Sequence, residues 1–318
     1  MRKLLLLFCA ATCLSSCATQ MQDQAEAPAL VWPAAPETPR VGFVRTFSRP
    51  DELGINKGLL QRLRDLVFGA EESRMVRPMA VIESDGVLYV ADPGAKGVHR
   101  FDTVKGKYAM ILGPDASPLP SPVSLARGAE GEIYIADSRL ARILLLRPGE
   151  KFALPLALEG GVQQPTGLAF DATSRELFVV DTKAHRINVY TPAGGLIKSI
   201  GKRGTGALEF NYPTLLWLSP QGRLHVTDSL NFRVQILDRS GNFIGQFGHL
   251  GDATGDAARQ KGVATDRRGH VYVVDSLFHA VQVFDANGRY LLTLGGQGQG
   301  RGEFWLPVGI HIDANDTI

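Results

Sequence analysis

The feature that most constrains this chain is a phrase that recurs five times, an apolar strand closing on aspartate. It reads Leu88-Tyr89-Val90-Ala91-Asp92, Ile133-Tyr134-Ile135-Ala136-Asp137, Leu177-Phe178-Val179-Val180-Asp181, Leu224-His225-Val226-Thr227-Asp228 and Val271-Tyr272-Val273-Val274-Asp275. The aspartates lie 45, 44, 47 and 47 residues apart, which is the period of a four-stranded blade and too long for a leucine-rich repeat. The spacing predicts a β-propeller.

Each unit reads strand by strand around that phrase. A proline opens an inner strand (Pro78, Pro122, Pro165, Pro213 and Pro307), a glycine-containing turn follows, and the aspartate strand comes next. Third strands are Val98 to Phe101, Ile143 to Leu146, Ile187 to Tyr190, Val234 to Leu237 and Val281 to Phe284. Their β-branched and aromatic content, punctuated by Gly, Asp and Asn, fits strands joined by tight turns. Ser240-Gly241-Asn242 and Ala286-Asn287-Gly288 lead into short outer strands, Phe243 to Phe247 and Tyr290 to Leu294. Five complete units occupy roughly residues 77 to 296, and a sixth begins at Pro307-Val308-Gly309-Ile310-His311-Ile312-Asp313. Its aspartate strand would fall past Ile318, so the sixth blade is expected to be incomplete. A strand over Arg40 to Phe47, paired to that blade, would cover the open edge; a truncated reading frame is the alternative.

At these residues the chain resembles the NHL-repeat proteins, a six-bladed propeller family, and within it a subset of bacterial lipoproteins. The resemblance covers about residues 40 to 318 and includes the linking phrases Gly201 to Gly206 with Phe210-Asn211-Tyr212-Pro213, and Gly300-Arg301-Gly302-Glu303-Phe304 with Pro307. The segment Asp51 to Gly69 is similar to the one preceding blade one in those lipoproteins. The resemblance implies an all-β, six-bladed NHL-type propeller over residues 40–318. It implies little about activity, since the scaffold carries both binding proteins and enzymes.

The N-terminus sets the expected compartment. Arg2 and Lys3 precede the apolar run Leu4 to Leu14, too short to span a bilayer but right for a signal-peptide core. Leu14-Ser15-Ser16-Cys17 matches a bacterial lipobox, giving a signal peptide over 1–16 and a lipidated Cys17. Ala18 follows in place of aspartate, which by resemblance to enterobacterial sorting favours the outer membrane. Residues 17–39 hold Pro28, Pro33, Pro36 and Pro39 with no strand or helix period and read as an extended tether. Leu59, Leu60, Leu63, Leu66 and Val67 follow helical spacing, capped by Asn56 and stopped by Gly69, and predict a short N-terminal helix.

Charge and cysteine prune the functions. Cys9 and Cys13 leave with the signal peptide and Cys17 is consumed by lipid, so disulfides, thiolate nucleophiles and cysteine-held metals are excluded from the mature domain. The 34 basic residues fall to 32 once Arg2 and Lys3 are removed, against 32 acidic ones. A neutral, exported domain lacks the field for nucleic acid.

The repeated aspartates, Asp92, Asp137, Asp181, Asp228 and Asp275, read as architecture, because one such residue in every blade serves the blade. Arginine five positions on, at Arg142, Arg186 and Arg233, is placed to meet the carboxylate in blades two, three and four, and Asp commonly accepts a turn's own N–H groups. The glycine-rich runs Gly201 to Gly206 and Gly296 to Gly300 lead to strands and open no helix, so they read as blade crossings and not as phosphate loops. Zinc lyases of the resembled fold hold their metal with histidines directly after the inner-strand proline. The matching positions are taken here as Met79, Val123, Thr166, Thr214, Gly262 and Val308, none an imidazole. No catalytic residue, metal ligand or cofactor is predicted, although a channel cation is kept as an alternative.

His185 and His279 share one repeat position and, with Phe232 and Phe278, form the candidate binding rim; His311 is a candidate for the channel lining. Leu230, Asn231 and Leu277 join that rim. The expected function is a lipid-anchored envelope module binding a protein or glycan. A propeller hydrolase or lyase with a channel cation, and a purely structural envelope component, are the alternatives.

Overall fold

The computed structural model describes residues 29–56, 58 and 73–318. Within them lie five four-stranded sheets, each an antiparallel meander in chain order. Blade one is Ala80–Ser84, Val87–Asp92, Gly97–Asp102 and Lys107–Ile111. Blade two is Pro122–Arg127, Ile133–Asp137, Arg142–Leu146 and Leu154–Leu156. Blade three is Pro165–Asp171, Glu176–Asp181, Arg186–Tyr190 and Leu196–Ile200. Blade four is Pro213–Leu218, Leu224–Asp228, Arg233–Leu237 and Phe243–Phe247, and blade five is Gln260–Thr265, Val271–Asp275, Ala280–Phe284 and Tyr290–Leu294.

The second strands are mainly apolar because both of their faces are covered. Every residue of Ile133–Asp137, Leu224–Asp228 and Val271–Asp275 is buried. The core is therefore divided among the interfaces between successive blades. Ile82, Val98 and Ile111 of blade one meet Leu125, Ile133, Ile135 and Leu144 of blade two, and Phe178, Val180 and Ile187 of blade three meet Leu216, Leu224 and Val226 of blade four. Burying each such side chain contributes roughly 1.5 to 3 kcal/mol, so the packing of blade on blade dominates the fold's stability.

Inner strands approach so closely that glycine is required where they touch. A Cβ on Gly262 would lie 2.7 Å from the Val308 carbonyl oxygen, and one on Gly309 would lie 2.5 Å from that of Met79. The segment from Pro307 thus sits between blade five and blade one, and the innermost circle closes. Beyond Ile312 the chain makes the turn seen in blade five. Asp313 accepts N–H bonds from Asn315 and Thr317, both at 2.8 Å, as Asp266 does from Arg268 (3.0 Å) and His270 (2.8 Å). The structure thus has five complete blades with the inner segment and first turn of a sixth.

The expected strand over Arg40 to Phe47 takes a different partner. Val41–Gly42 pairs with Val31–Trp32 in a small hairpin, and residues 43–47 are not strand. The hairpin satisfies its own backbone, with Arg40 N–H to the Trp32 oxygen and Phe43 N–H to the Leu30 oxygen, both at 2.8 Å. It touches the sixth segment through side chains alone, Trp32 and Val41 joining Ile310, Ile312, Leu291, Leu292 and Phe304. The predicted N-terminal helix, Cys17 and the signal segment lie outside the described residues. Among the described residues no helix is long and apolar enough to cross a membrane.

Candidate functional site

The loops that leave each aspartate strand and the crossings that enter each inner strand meet at one end of the blades. Backbone bonds tie them together there: Ser138 N–H to Ser121 O, Thr182 N–H to Gln164 O, Leu230 N–H to Asn211 O and Ser276 N–H to Arg259 O. This end is termed the top face.

The blade aspartates sit directly beneath it, fully buried. Each carboxylate gathers donors from the crossing and, in most blades, from the loop. Asp275 accepts from the N–H groups of Ala258 and Arg259 on one side and of Leu277 and Phe278 on the other. Asp137 accepts from Ser121, Arg139 and Leu140, and Asp181 from Gln163 and Gln164. Burial alone would raise the Asp92 carboxyl, but His99 and the N–H groups of Val76, Ala95 and Arg77 hold it far below the usual carboxylate range.

Of the three arginines five positions on, one meets its aspartate. Arg233 Nε donates to Asp228 at 2.8 Å, and the rest of its guanidinium donates to the carbonyl oxygens of Thr205, Gly206 and Glu209 in the crossing. Arg142 is exposed, and among the described residues Arg186 Nε is buried without a hydrogen-bond partner.

The rim residues share a conformation before they share chemistry. The fourth residue after each aspartate, Lys96, Ala141, His185, Phe232 and His279, has φ between 52° and 57°. Lys96 holds the next crossing through its backbone oxygen, which accepts the Leu119 N–H at 2.8 Å, while His185 and His279 do so through their side chains. His185 Nδ1 accepts the Tyr212 N–H at 3.2 Å, and His279 Nδ1 accepts the Leu306 N–H at 3.0 Å. Each ring also faces an aromatic of that crossing, Tyr212 at 4.6 Å and Trp305 at 5.1 Å between centroids. The two histidines therefore act in separate blades. Phe232 and Phe278 are half-buried. The side chains left exposed around them are Leu230 (51%), Leu277 (52%) and Trp305 (60%), with Tyr212 and Leu306 beside them.

Inside the rim a cavity of about 2230 Å³ opens from the channel mouth into the gap beside the sixth segment. Arg77, Met79, Val123, Arg259 and Lys261 line the mouth, while Val81, Leu88, Leu291 and Leu292 line the gap. The residue after the inner-strand opening in blade five is Lys261 and not Gly262, because Gln260 pairs with Asp275 as Pro213 does with Asp228. Blade five lacks the proline that marks this register elsewhere. Lys261 is held below the ordinary lysine range by burial and by the neighbouring Arg259.

His311 lies deeper, its ring 5.5 Å from Trp217 and its Nδ1 buried without a partner; burial lowers its basicity. Among the described residues no three His, Cys, Asp or Glu side chains are grouped to hold a metal.

Sequence reasoning missed two sets of residues. Hydroxyls after the aspartates stitch inner strands together, as Thr182 does to the Pro213 oxygen at 2.7 Å and Ser229 to the Gln260 oxygen at 3.3 Å. Gln235 and Gln282 clamp crossings through both ends of the amide: Gln282 accepts the Gly255 N–H and donates to the Asp256 oxygen, and Gln235 does the same with Leu208 and Glu209. The available signal was a glutamine at one repeat position inside two otherwise apolar strands.

A family model, DUF5128, described as a 6-bladed beta-propeller, matches residues 261–318. No curated protein sequence matches the chain. Among solved structures, the chain is similar to virginiamycin B lyase from Staphylococcus aureus, with 16% identity over 73% of each chain and a TM-score of 0.54. It is also similar to a chain of a nidogen/laminin complex, with 17% identity over 73% of this chain and 83% of that one and a TM-score of 0.56. The match to U3-55K has 13% identity, covers 74% and 71%, and scores 0.54. These likenesses define the class, a β-propeller. At such identities they carry the fold and no activity.

Proposed function

We propose that the protein is a lipid-anchored binding module of the bacterial cell envelope, tethered to the outer membrane through Cys17 and holding a protein or glycan on the top face of its propeller. The observation that carries this reading is the rim, where Leu230, Leu277 and Trp305 stand exposed around the channel mouth. Apolar groups gathered beside a cavity at one face of a domain mark a contact surface. His185, Phe232, Phe278 and His279 are the frame that presents them. The blade aspartates serve the blades, since their oxygens are taken up by backbone donors. A structure of a nidogen/laminin complex containing a propeller of this shape is consistent with a protein-binding role.

Anchoring is tested by fractionation. A single acyl chain, at about 0.8 kcal/mol per buried methylene, holds a protein only marginally, so stable attachment needs the several chains of a lipoprotein. Wild-type protein is expected in the membrane fraction and Cys17→Ser in the soluble one; a membrane-bound Cys17→Ser would overturn the anchor.

A further inference from the structure

Three cations border the channel mouth without an ion pair among the described residues. Arg77 and Arg259 occupy one repeat position, immediately before the inner-strand opening, in the two blades that flank the sixth segment. Their backbones are pinned there, Arg77 N–H to Asp92 and Arg259 N–H to Asp275, both at 2.9 Å. The oxygens of those carboxylates are already occupied by backbone amides, joined by His99 at Asp92. Lys261 lies two residues beyond Arg259, at the start of the inner strand, and lines the same cavity. Among the described residues none of the three side chains makes an ion pair or hydrogen bond, whereas arginines that tie blade to blade, such as Arg127 to Asp85 and Arg175 to Glu130, are paired. Equivalent positions in the remaining blades are the uncharged Ser121, Gln164, Tyr212 and Leu306.

An ammonium drawn out of water beside a guanidinium is unfavourable unless an anion joins them. All three groups border the same cavity, which is open to the top face and edged by Trp305 and Leu306. We infer that the channel mouth beside the sixth segment binds a multivalent anionic group, carboxylate or phosphate, between Arg77, Arg259 and Lys261. This deepens the reading of the top face as the binding face and rests on it. The ligand presents its charge to the mouth and an apolar portion to the rim.

The experiment is a thermal-shift titration of the full-length protein in detergent, with inorganic phosphate and with citrate, at constant ionic strength made up with sodium chloride. One or both anions are expected to raise the melting temperature saturably. Half-saturation should move at least tenfold higher in Lys261→Gln and in the Arg77→Gln/Arg259→Gln pair. Lys202→Gln, at an exposed lysine paired with Glu209, should titrate as wild type. Stronger citrate binding would identify a carboxylate ligand and stronger phosphate binding a phosphate one. Should a variant melt far below wild type, binding of radiolabelled phosphate or citrate to the other, folded variant decides in the same way. No shift beyond chloride, or a Lys261→Gln protein that titrates as wild type, overturns the site. Loss of the anion response with rim contacts intact would remove this inference alone, while anion binding without rim contacts would leave it in place and remove the rim.

Discussion

Asp228 and Asp275 gather donors from separate stretches of chain, so removing either carboxylate strands several groups at once. Asp228→Ala leaves the Arg233 guanidinium, 6% exposed, without its anion, and breaking one partner of a buried pair costs about 3 to 5 kcal/mol. Asp275→Ala strands backbone N–H groups only, at about 1 to 3 kcal/mol for each that is left buried and unpaired. Urea denaturation should therefore place both variants below wild type. Unchanged midpoints with loss of binding would return these residues to the functional site. His225 adds a pH dependence. Burial pushes its imidazole from the ordinary 6.5 down to about 4, so between those values the unfolded chain takes up a proton that the folded one refuses. Stability is complete above the unfolded value and falls, by on the order of 3 kcal/mol, as pH drops from about 6.5 to 4. The urea midpoint of His225→Leu should vary less over that window than that of wild type, and an equal slope would contradict the assignment.

At the level of elements, the crossings and the N-terminal hairpin do the work that long strands do elsewhere. The crossing glycines that suggest a phosphate loop in composition wrap an internal carboxylate instead: Glu209 accepts from Thr205 and Gly206 N–H, and Glu303 from Gly300 N–H. The hairpin over residues 31–42 covers the apolar flank of blade five and the sixth segment. Deleting residues 18–48 should lower the melting temperature well beyond deleting 18–28, because Trp32 and Val41 are stripped from that cluster; covering such side chains contributes roughly 1.5 to 3 kcal/mol each when burial is complete. Equal melting of the two deletions would mean the hairpin is not part of the folded unit.

Across the whole molecule, the strand-and-aspartate period carried the architecture in the sequence, because every blade must bury the same two faces and end at the same turn. The partner of the N-terminal segment was not legible, since alternation over Val41, Phe43 and Phe47 reports one buried face and not which strand lies beside it. The rim was partly legible: Leu230 and Leu277 follow aspartates by a fixed interval, so their place at the top face could be read. Arg77, Arg259 and Lys261 could not be grouped, because they lie in distant stretches of sequence and because Gln260 replaces the proline that would have set the register of Lys261.

Binding is expected on the top face. The most direct test places a photo-crosslinking amino acid at Leu230, Leu277 or Trp305, and as a control at Asn287, in the hairpin turn at the opposite end of blade five, in the intact lipoprotein in cells. Discrete adducts are predicted from the three rim positions and none from Asn287. Adducts from Asn287 alone, or from no position on the rim, would contradict the account.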